Sequence, residues 1–498
     1  MARLSLALVA LAVLSLAHAV TSVRVGPAGS YADEKTILAG GYKPIDDRFH
    51  VKVLDSVDGD DVTCITPPCD KPLRIAGYFK LDRTYDAHMF FYFFESRKPD
   101  TACDACASSR ECPCKDPVIV WMTGGPGCSS ELAVFYENGP YRINDDLSVT
   151  LNPFGWDAMH NTIFVDQPIN TGFSFSQNAK DEVFDEKTVA ADMVDFLSEF
   201  YAKYDKYANN PLFITGESYA GHYVPAVTRG IYDANKESSL GFNLQGFAIG
   251  NGLTNPYYQY QQYGNYSFTN GIIDEETYAN AQAAIPKCIA EIQTCDNSKE
   301  NGDCLRAVNT CQGTIVGPIL QDAGDINVYD IRKQCGANPL CYDFSNMDKY
   351  LAQPQVRYLY NIPSFIQWEA CSDKVHTDFM HDWMLNYEPI IPEMLENGIR
   401  LMIYAGVEDF ICNWMGNYAW VSEMAWAGAD GTSGQDDFNS KGFKEWKSLD
   451  GKSVAGEVKS SGPLSFVKVA AAGHMVPMDQ PENALKMIYS FTQNTPLV

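Results

Sequence analysis

Long apolar runs are nearly absent from this sequence of 498 residues. The run Leu4–Leu16, broken only by serines, covers 13 residues, short of the roughly 20 needed to cross a bilayer. It follows Arg3 and ends in Ala17-His18-Ala19, the small-x-small pattern of a signal-peptidase site. Residues 1–19 therefore read as a secretory signal peptide, and the remainder is expected to be soluble. Positive charge is also scarce: 37 Lys and Arg stand against 63 Asp and Glu, for a net charge of −26 and a pI near 4.6. A field of that sign repels phosphate backbones and anionic lipid, which argues against nucleic acid or membrane as a partner. The chain would be nearly neutral in an acidic compartment. Internal repeats are missing, and histidine is rare, with eight in all.

Cysteine is plentiful by contrast, with fifteen residues. Behind a signal peptide this number implies a disulfide framework, and the odd count leaves at least one thiol unpaired. Cys288, Cys295, Cys304 and Cys311 are spaced by 7, 9 and 7 residues, a symmetry that suits nested pairs Cys288–Cys311 and Cys295–Cys304 closing a helical hairpin. Cys335–Cys341 and Cys64–Cys69 would each close a short loop. The cluster Cys103, Cys106, Cys112 and Cys114 has spacings that also fit zinc. An oxidising compartment favours bridges there instead, and the pairing stays open.

Short β-branched and apolar runs predict strands at Ile75–Leu81, Val118–Thr123, Thr162–Asp166, Leu212–Thr215, Phe247–Ile249, Arg400–Tyr404 and Leu464–Ala470. Helix-period stretches such as Asp185–Tyr204 lie between several of them. Strand alternating with helix indicates an α/β fold with a mostly parallel sheet covered on both faces. Residues 20–43 form either a propeptide or an N-terminal arm, and Glu95–Lys115 reads as a loop insertion. The rhythm breaks between about 255 and 360, a cysteine- and tyrosine-rich stretch read as a cap inserted between core segments 44–254 and 361–498.

At the exit of the strand Leu212–Thr215 stands Gly216-Glu217-Ser218-Tyr219-Ala220-Gly221. Small residues around a serine where strand turns sharply into helix form a nucleophile elbow. The glycine pair Gly124-Gly125, leaving the strand Val118–Thr123, exposes main-chain N–H groups. Such a loop can supply half an oxyanion hole and the Tyr219 amide the other half. Asp409 follows the strand Arg400–Tyr404 and His474 follows Leu464–Ala470, so the chain order is Ser, Asp, His. That is the order of the α/β-hydrolase fold.

Six stretches in order carry a closer resemblance: Gly124-Gly125-Pro126-Gly127-Cys128-Ser129-Ser130, Asp166-Gln167-Pro168, the elbow through His222-Tyr223, Gly250-Asn251-Gly252, Ile411-Cys412-Asn413-Trp414 and Gly473-His474-Met475-Val476-Pro477. Together they resemble the serine carboxypeptidases, especially carboxypeptidase Y and the plant type III enzymes. The resemblance implies that Ser218, Asp409 and His474 are catalytic and that Gly125 and Tyr219 form the oxyanion hole. It also implies that Thr123, Gly124, Glu137 and Glu217 hold the substrate's terminal carboxylate. Two carboxyl groups beside a third repel unless protons are shared, so at least one glutamate must titrate high and activity should favour acid pH. Thr123 departs from the asparagine of carboxypeptidase Y but matches the plant type III enzymes.

By the same resemblance Leu132, Tyr136, Tyr329, Tyr342 and Met475 line the pocket for the leaving residue, and Leu253, Tyr260, Tyr263, Trp383 and Ile411 the neighbouring acyl-side pocket. Met475 stands against the acidic linings of relatives that prefer basic ends. Cys412 resembles the family's free thiol near the site, and Cys128–Cys371 a bridge from the glycine loop to the later half. Asn265-Tyr266-Ser267 is a glycosylation sequon. These features predict a cofactor-free, metal-free peptidase of the secretory pathway, in vacuole, lysosome or exterior, acting on peptide or protein C-termini. Two rivals are an acyltransferase using the same triad and a protective partner of other hydrolases; retention of Glu137, Glu217 and an apolar pocket favours the peptidase.

Overall fold

The computed structural model describes residues 49–53, 72–97 and 116–497, apart from 239, 339, 429 and 430. The signal peptide, the arm 20–43, Cys64–Cys69 and the Cys103–Cys114 cluster lie outside the described residues.

Thirteen strands occur among them: β1 Phe49–Val53, β2 Arg74–Lys80, β3 His88–Phe94, β4 Val118–Met122, β5 Tyr141–Ile143, β6 Val149–Leu151, β7 Asn161–Val165, β8 Leu212–Glu217, β9 Leu244–Gly250, β10 Arg400–Gly406, β11 Lys444–Lys447, β12 Val454–Ser461 and β13 Leu464–Val469. Eleven form one sheet in the order β1-β2-β3-β7-β4-β8-β9-β10-β13-β12-β11, while β5 pairs with β6. The centre, from β7 through β13, is parallel, and both margins are antiparallel. This is the expected α/β-hydrolase sheet, with four strands at its edges that the sequence did not predict.

Alternation along each central strand sends side chains to two cores. From β4, Val118, Val120 and Met122 enter one core, and Ile119 and Trp121 enter the other. The first core is covered by helix α2, Glu186–Lys203. Its N-terminus is capped by the Asp185 carboxylate accepting from Thr188 N at 2.8 Å, and it buries Val189, Met193, Phe196, Leu197 and Phe200. Helix α3, Ala220–Glu237, starts at the elbow and packs beside α2. The second core is covered by the short α1, Glu131–Tyr136, and by α8, Pro481–Thr492, near the C-terminus.

Between β9 and β10 the described residues contain helices and loops and no strand. They include helices α4 Tyr263–Thr269, α5 Glu275–Ser298 and α6 Asn301–Cys311. Helix α7, Asp373–Phe379, falls beyond the expected boundary at 360, because no strand resumes until Arg400. The α5–α6 hairpin is cross-linked by Cys288–Cys311 and Cys295–Cys304, with Cys335–Cys341 closing a loop nearby. Asn265 lies in α4, its amide nitrogen donating to Gln262 and its carbonyl accepting from Tyr278 and Gln282.

Candidate active site

The site gathers at the carboxyl ends of β8, β10 and β13, where loops leaving a parallel sheet open outward. Ser218 directly follows β8 with φ of 68°, a strained conformation for a residue with a side chain. The strain is held on both sides: Ser218 N donates to Gly250 O at 3.0 Å, and Ser218 O accepts from Gly221 N and Leu253 N, both at 2.9 Å. Gly216 is required by the turn, since a Cβ there would stand 2.5 Å from Met122 O and 2.7 Å from Ala220 Cβ. Ala220 in place of a second glycine fits this space.

Asp409 and His474 meet with Nδ1 of the imidazole 2.8 Å from Asp409 Oδ2. Both are buried. The same carboxylate accepts from Asn251 Nδ2 at 2.8 Å, Cys412 N at 3.2 Å and, on Oδ1, Ile411 N at 3.1 Å. Four donors hold it in one orientation. A proton on His474 Nδ1 shared with Asp409 leaves Nε2 as the basic nitrogen. The role of Asn251 was not predicted, although the sequence reading singled out Gly250-Asn251-Gly252.

The glycine loop lies against the elbow. A Cβ on Gly124 would be 2.5 Å from Tyr219 N and 2.6 Å from Glu217 O, so only glycine permits this approach. Gly125 has φ of 114°. Cys128, in the same loop, is bridged to Cys371 across 243 residues. Trp121 Nε1 donates to Thr123 Oγ1 at 3.0 Å, and Thr123 N donates to Ser130 Oγ, fixing the strand end.

Glu137 and Glu217 face each other, buried, their carboxyl groups hydrogen-bonded together. Burial pushes Glu137 up to about 7, against the pull of the Glu217 hydrogen bond and of the nearby His474 and Arg142 charges. Glu217 is raised well above its ordinary 4.5 by burial and then by the Glu137 charge. Both carboxyls are thus held toward their protonated forms.

The expected pocket residues divide between the two cores. Leu132 and Met475 belong to the second core, with Tyr136 and Tyr342 packed against it. Phe344, absent from the sequence prediction, joins them, its ring 4.8 Å from Tyr136 and 5.9 Å from Tyr342. The Tyr329 ring lies 5.2 Å from that of His474, tilted by 57°, and the Tyr329 carbonyl accepts the His474 main-chain N–H. On the first core, Leu253, Tyr260, Tyr263 and Cys412 are buried, with Trp383 and Ile411 packed against them. Trp383 Nε1 donates to the Tyr260 hydroxyl, and the Tyr263 hydroxyl donates to Ile411 O. The Cys412 thiol is unbridged, and burial with the Asp409 and Glu217 charges pushes it up.

Known proteins are similar to this one over most of the chain. The family model described as serine carboxypeptidase matches residues 68–494. Serine carboxypeptidase 3 of Hordeum vulgare is 45% identical over 419 residues, 84% of this chain and 77% of that one. Carboxypeptidase Y of Candida albicans is 38% identical over 412 residues, 81% of this chain and 70% of that one. Among solved structures, a prohormone-processing carboxypeptidase from Saccharomyces cerevisiae superposes with a TM-score of 0.73 at 25% identity, covering 86% of this chain and 92% of its own. With a family model matching residues 68–494 and relatives this similar along both chains, the protein belongs to the serine carboxypeptidase family.

Proposed function

We propose that this serine carboxypeptidase works through Ser218 and reads the substrate's chain end with Glu137 and Glu217. His474 Nε2 takes the Ser218 proton as Oγ attacks the last peptide carbonyl, and Asp409 holds the ring and balances the imidazolium. The N–H groups of Gly125 and Tyr219 receive the oxyanion. His474 then protonates the departing amino acid, and water releases the acyl chain by the reverse sequence. Thr123 and the Gly124 main chain complete the cradle for the terminal carboxylate.

The buried pairing of the two glutamates beside Ser218 is the observation that carries this reading. A protonated Glu217 can donate to a substrate carboxylate, whereas a fully ionised pair would repel it. That favours peptide and protein C-termini over the neutral acyl donors of the acyltransferase alternative. Leu132, Tyr136, Tyr329, Tyr342 and Met475 offer a departing side chain an uncharged surface, so apolar ends are preferred because charged ones lose hydration there. Leu253, Tyr260, Tyr263, Trp383, Ile411 and Cys412 form the acyl-side surface. Four disulfides fit passage through the oxidising secretory pathway, and Asn265 is a candidate glycan acceptor.

N-blocked dipeptides ending in leucine, phenylalanine, lysine or aspartate, assayed at mildly acidic pH, test this. Leucine and phenylalanine should be released preferentially, and Ser218→Ala should release none. Release that survives Ser218→Ala would defeat the assignment.

A further inference from the structure

Behind the elbow lies a buried polar cluster that the chemistry above does not use. The Tyr219 hydroxyl donates to Asp382 Oδ2 at 2.6 Å, and His222 Nδ1 stands 2.8 Å from the same oxygen. The Tyr387 hydroxyl donates to Asp382 Oδ1 at 2.7 Å. Asp382 and His222 are 1% and 0% exposed. Glu186, at the start of α2, completes the cluster, with neither carboxyl oxygen hydrogen-bonded. Asp382 sits in the turn after α7, 160 residues along the chain from His222. The helical insertion therefore reaches underneath the nucleophile.

Glu186, His222 and Asp382 each bring one donor atom within 4.8 Å of the others, a grouping that could attract a cation. Asp382 is already committed to two hydroxyls and an imidazole. Burial, followed by the Asp382 and Asp185 charges, pushes Glu186 well above 4.5, and a protonated carboxyl is a poor cation ligand. What the cluster does hold is Tyr219.

We infer that Asp382 is a positioning residue for the oxyanion hole: by fixing the Tyr219 hydroxyl and the His222 ring, it sets the direction of the Tyr219 main-chain N–H. This rests on the assignment of that amide as an oxyanion donor. The peptide between Ser218 and Tyr219 joins a strained residue to the first turn of α3, so turning its plane would swing the Tyr219 side chain. That side chain is clamped along its length, with ring centroids 4.7 Å from His222, 5.1 Å from Tyr223 and 5.6 Å from Trp383, and tied to Asp382 at its tip. Gly124 closes the opposite side of the amide. Burial alone would raise Asp382, but the hydrogen bond and charge of His222 and the Tyr219 and Tyr387 hydroxyls outweigh it and hold the carboxyl below 3.8. The tie is thus a charge-assisted bond, stronger and more directional than a neutral one.

Tyr219→Phe, which removes only the hydroxyl, and Asp382→Asn test the inference, singly and combined. Folding is checked by circular dichroism and thermal unfolding; should Asp382→Asn not fold, Tyr219→Phe decides alone. The measurements are kcat and KM on an N-blocked dipeptide ending in phenylalanine, and Ki for a peptide aldehyde and for free phenylalanine. The aldehyde adds Ser218 Oγ to its carbonyl carbon, and the resulting hemiacetal oxygen occupies the oxyanion hole. Each variant should lower kcat about 10- to 100-fold, below the loss of a whole oxyanion donor. KM should stay within about twofold, aldehyde Ki should rise with the kcat loss, and phenylalanine Ki should hold. The double variant should be no worse than the poorer single one. A folded Tyr219→Phe with unchanged kcat and aldehyde Ki, additive losses, or both Ki values rising together would overturn the inference. Wild-type enzyme that binds the aldehyde no better than phenylalanine would instead overturn the oxyanion assignment, and the inference with it.

Discussion

Glu137 and Glu217 pair as two buried carboxyls beside Ser218, each raised by burial, and under the proposed function that pair receives the substrate's terminal carboxylate. On that proposal, the substrate's charged end is attracted only while the pair keeps its protons.

Replacing Glu137 by glutamine should therefore change the pH dependence of binding more than the chemistry. In the wild type, ionisation of Glu137 near pH 7 should raise KM about tenfold per pH unit above that point. Glu137→Gln cannot ionise, so that limb should flatten, with kcat changed by less than about tenfold. KM measured against pH for both enzymes provides the check.

Gly124→Ala tests the contact between the glycine loop and the elbow. The new Cβ would stand 2.5 Å from Tyr219 N, and main chain must move. We expect kcat to fall about 100-fold or more, the scale of a lost oxyanion donor, with a stability cost of about 1–3 kcal/mol from overpacking. Steady-state kinetics and urea unfolding report the two effects separately.

Asn251 ties Asp409 to the sheet, donating to its Oδ2 at 2.8 Å and accepting from Gly406 N at 3.0 Å. Hydrogen bonds to charged groups contribute about 1.5–3 kcal/mol, so Asn251→Ala should lower kcat about 10- to 100-fold. Asn251→Asp should be worse, because it sets a second carboxylate against Asp409. Equal activity in all three proteins would refute the role.

Stability should be greatest in acid. Glu137, Glu217, Glu131 and Glu186 titrate above 4.5, and Asp192 is raised from 3.8 to about 6, each with burial as its leading cause. Such groups bind protons more tightly folded than unfolded. Their stabilisation is complete below about pH 4 and is lost as pH rises through the folded values, toward 7 for Glu137. His160, lowered by burial from 6.5 to about 4, and His376, also lowered by burial, act in the opposite sense, but they are two groups against five acids. Tm measured from pH 4.5 to 8 should decline by several degrees.

The central strands were legible because β4, β7, β8, β9, β10 and β13 are buried runs ending in glycine or polar turns. The strand β3, His88–Phe94, escaped because its aromatics enter both cores, Phe91 and Phe93 one and Phe90, Tyr92 and Phe94 the other, which erases alternation. At the opposite edge β12 reads Val-Ala-Gly-Glu-Val-Lys-Ser-Ser, too polar to announce a strand. In the site, short motifs named Ser218, Asp409 and His474 because each occupies a strand exit. Asp382 carried no such signal: Tyr219 and His222, the partners that tie it to the elbow, lie 160 residues or more before it in the chain. Phe344 was hidden for a similar reason, since only folding brings it between Tyr136 and Tyr342.

The most direct measurement pairs one N-blocked dipeptide as the free acid and as the C-terminal amide, and follows kcat/KM for both from pH 4.5 to 8. Glu137 and Glu217 acting as proton-sharing readers of the chain end predict strong hydrolysis of the acid at low pH and a steep decline through about pH 7, while the amide stays a poorer substrate in acid and shows no such decline. Parallel profiles for acid and amide would contradict that account.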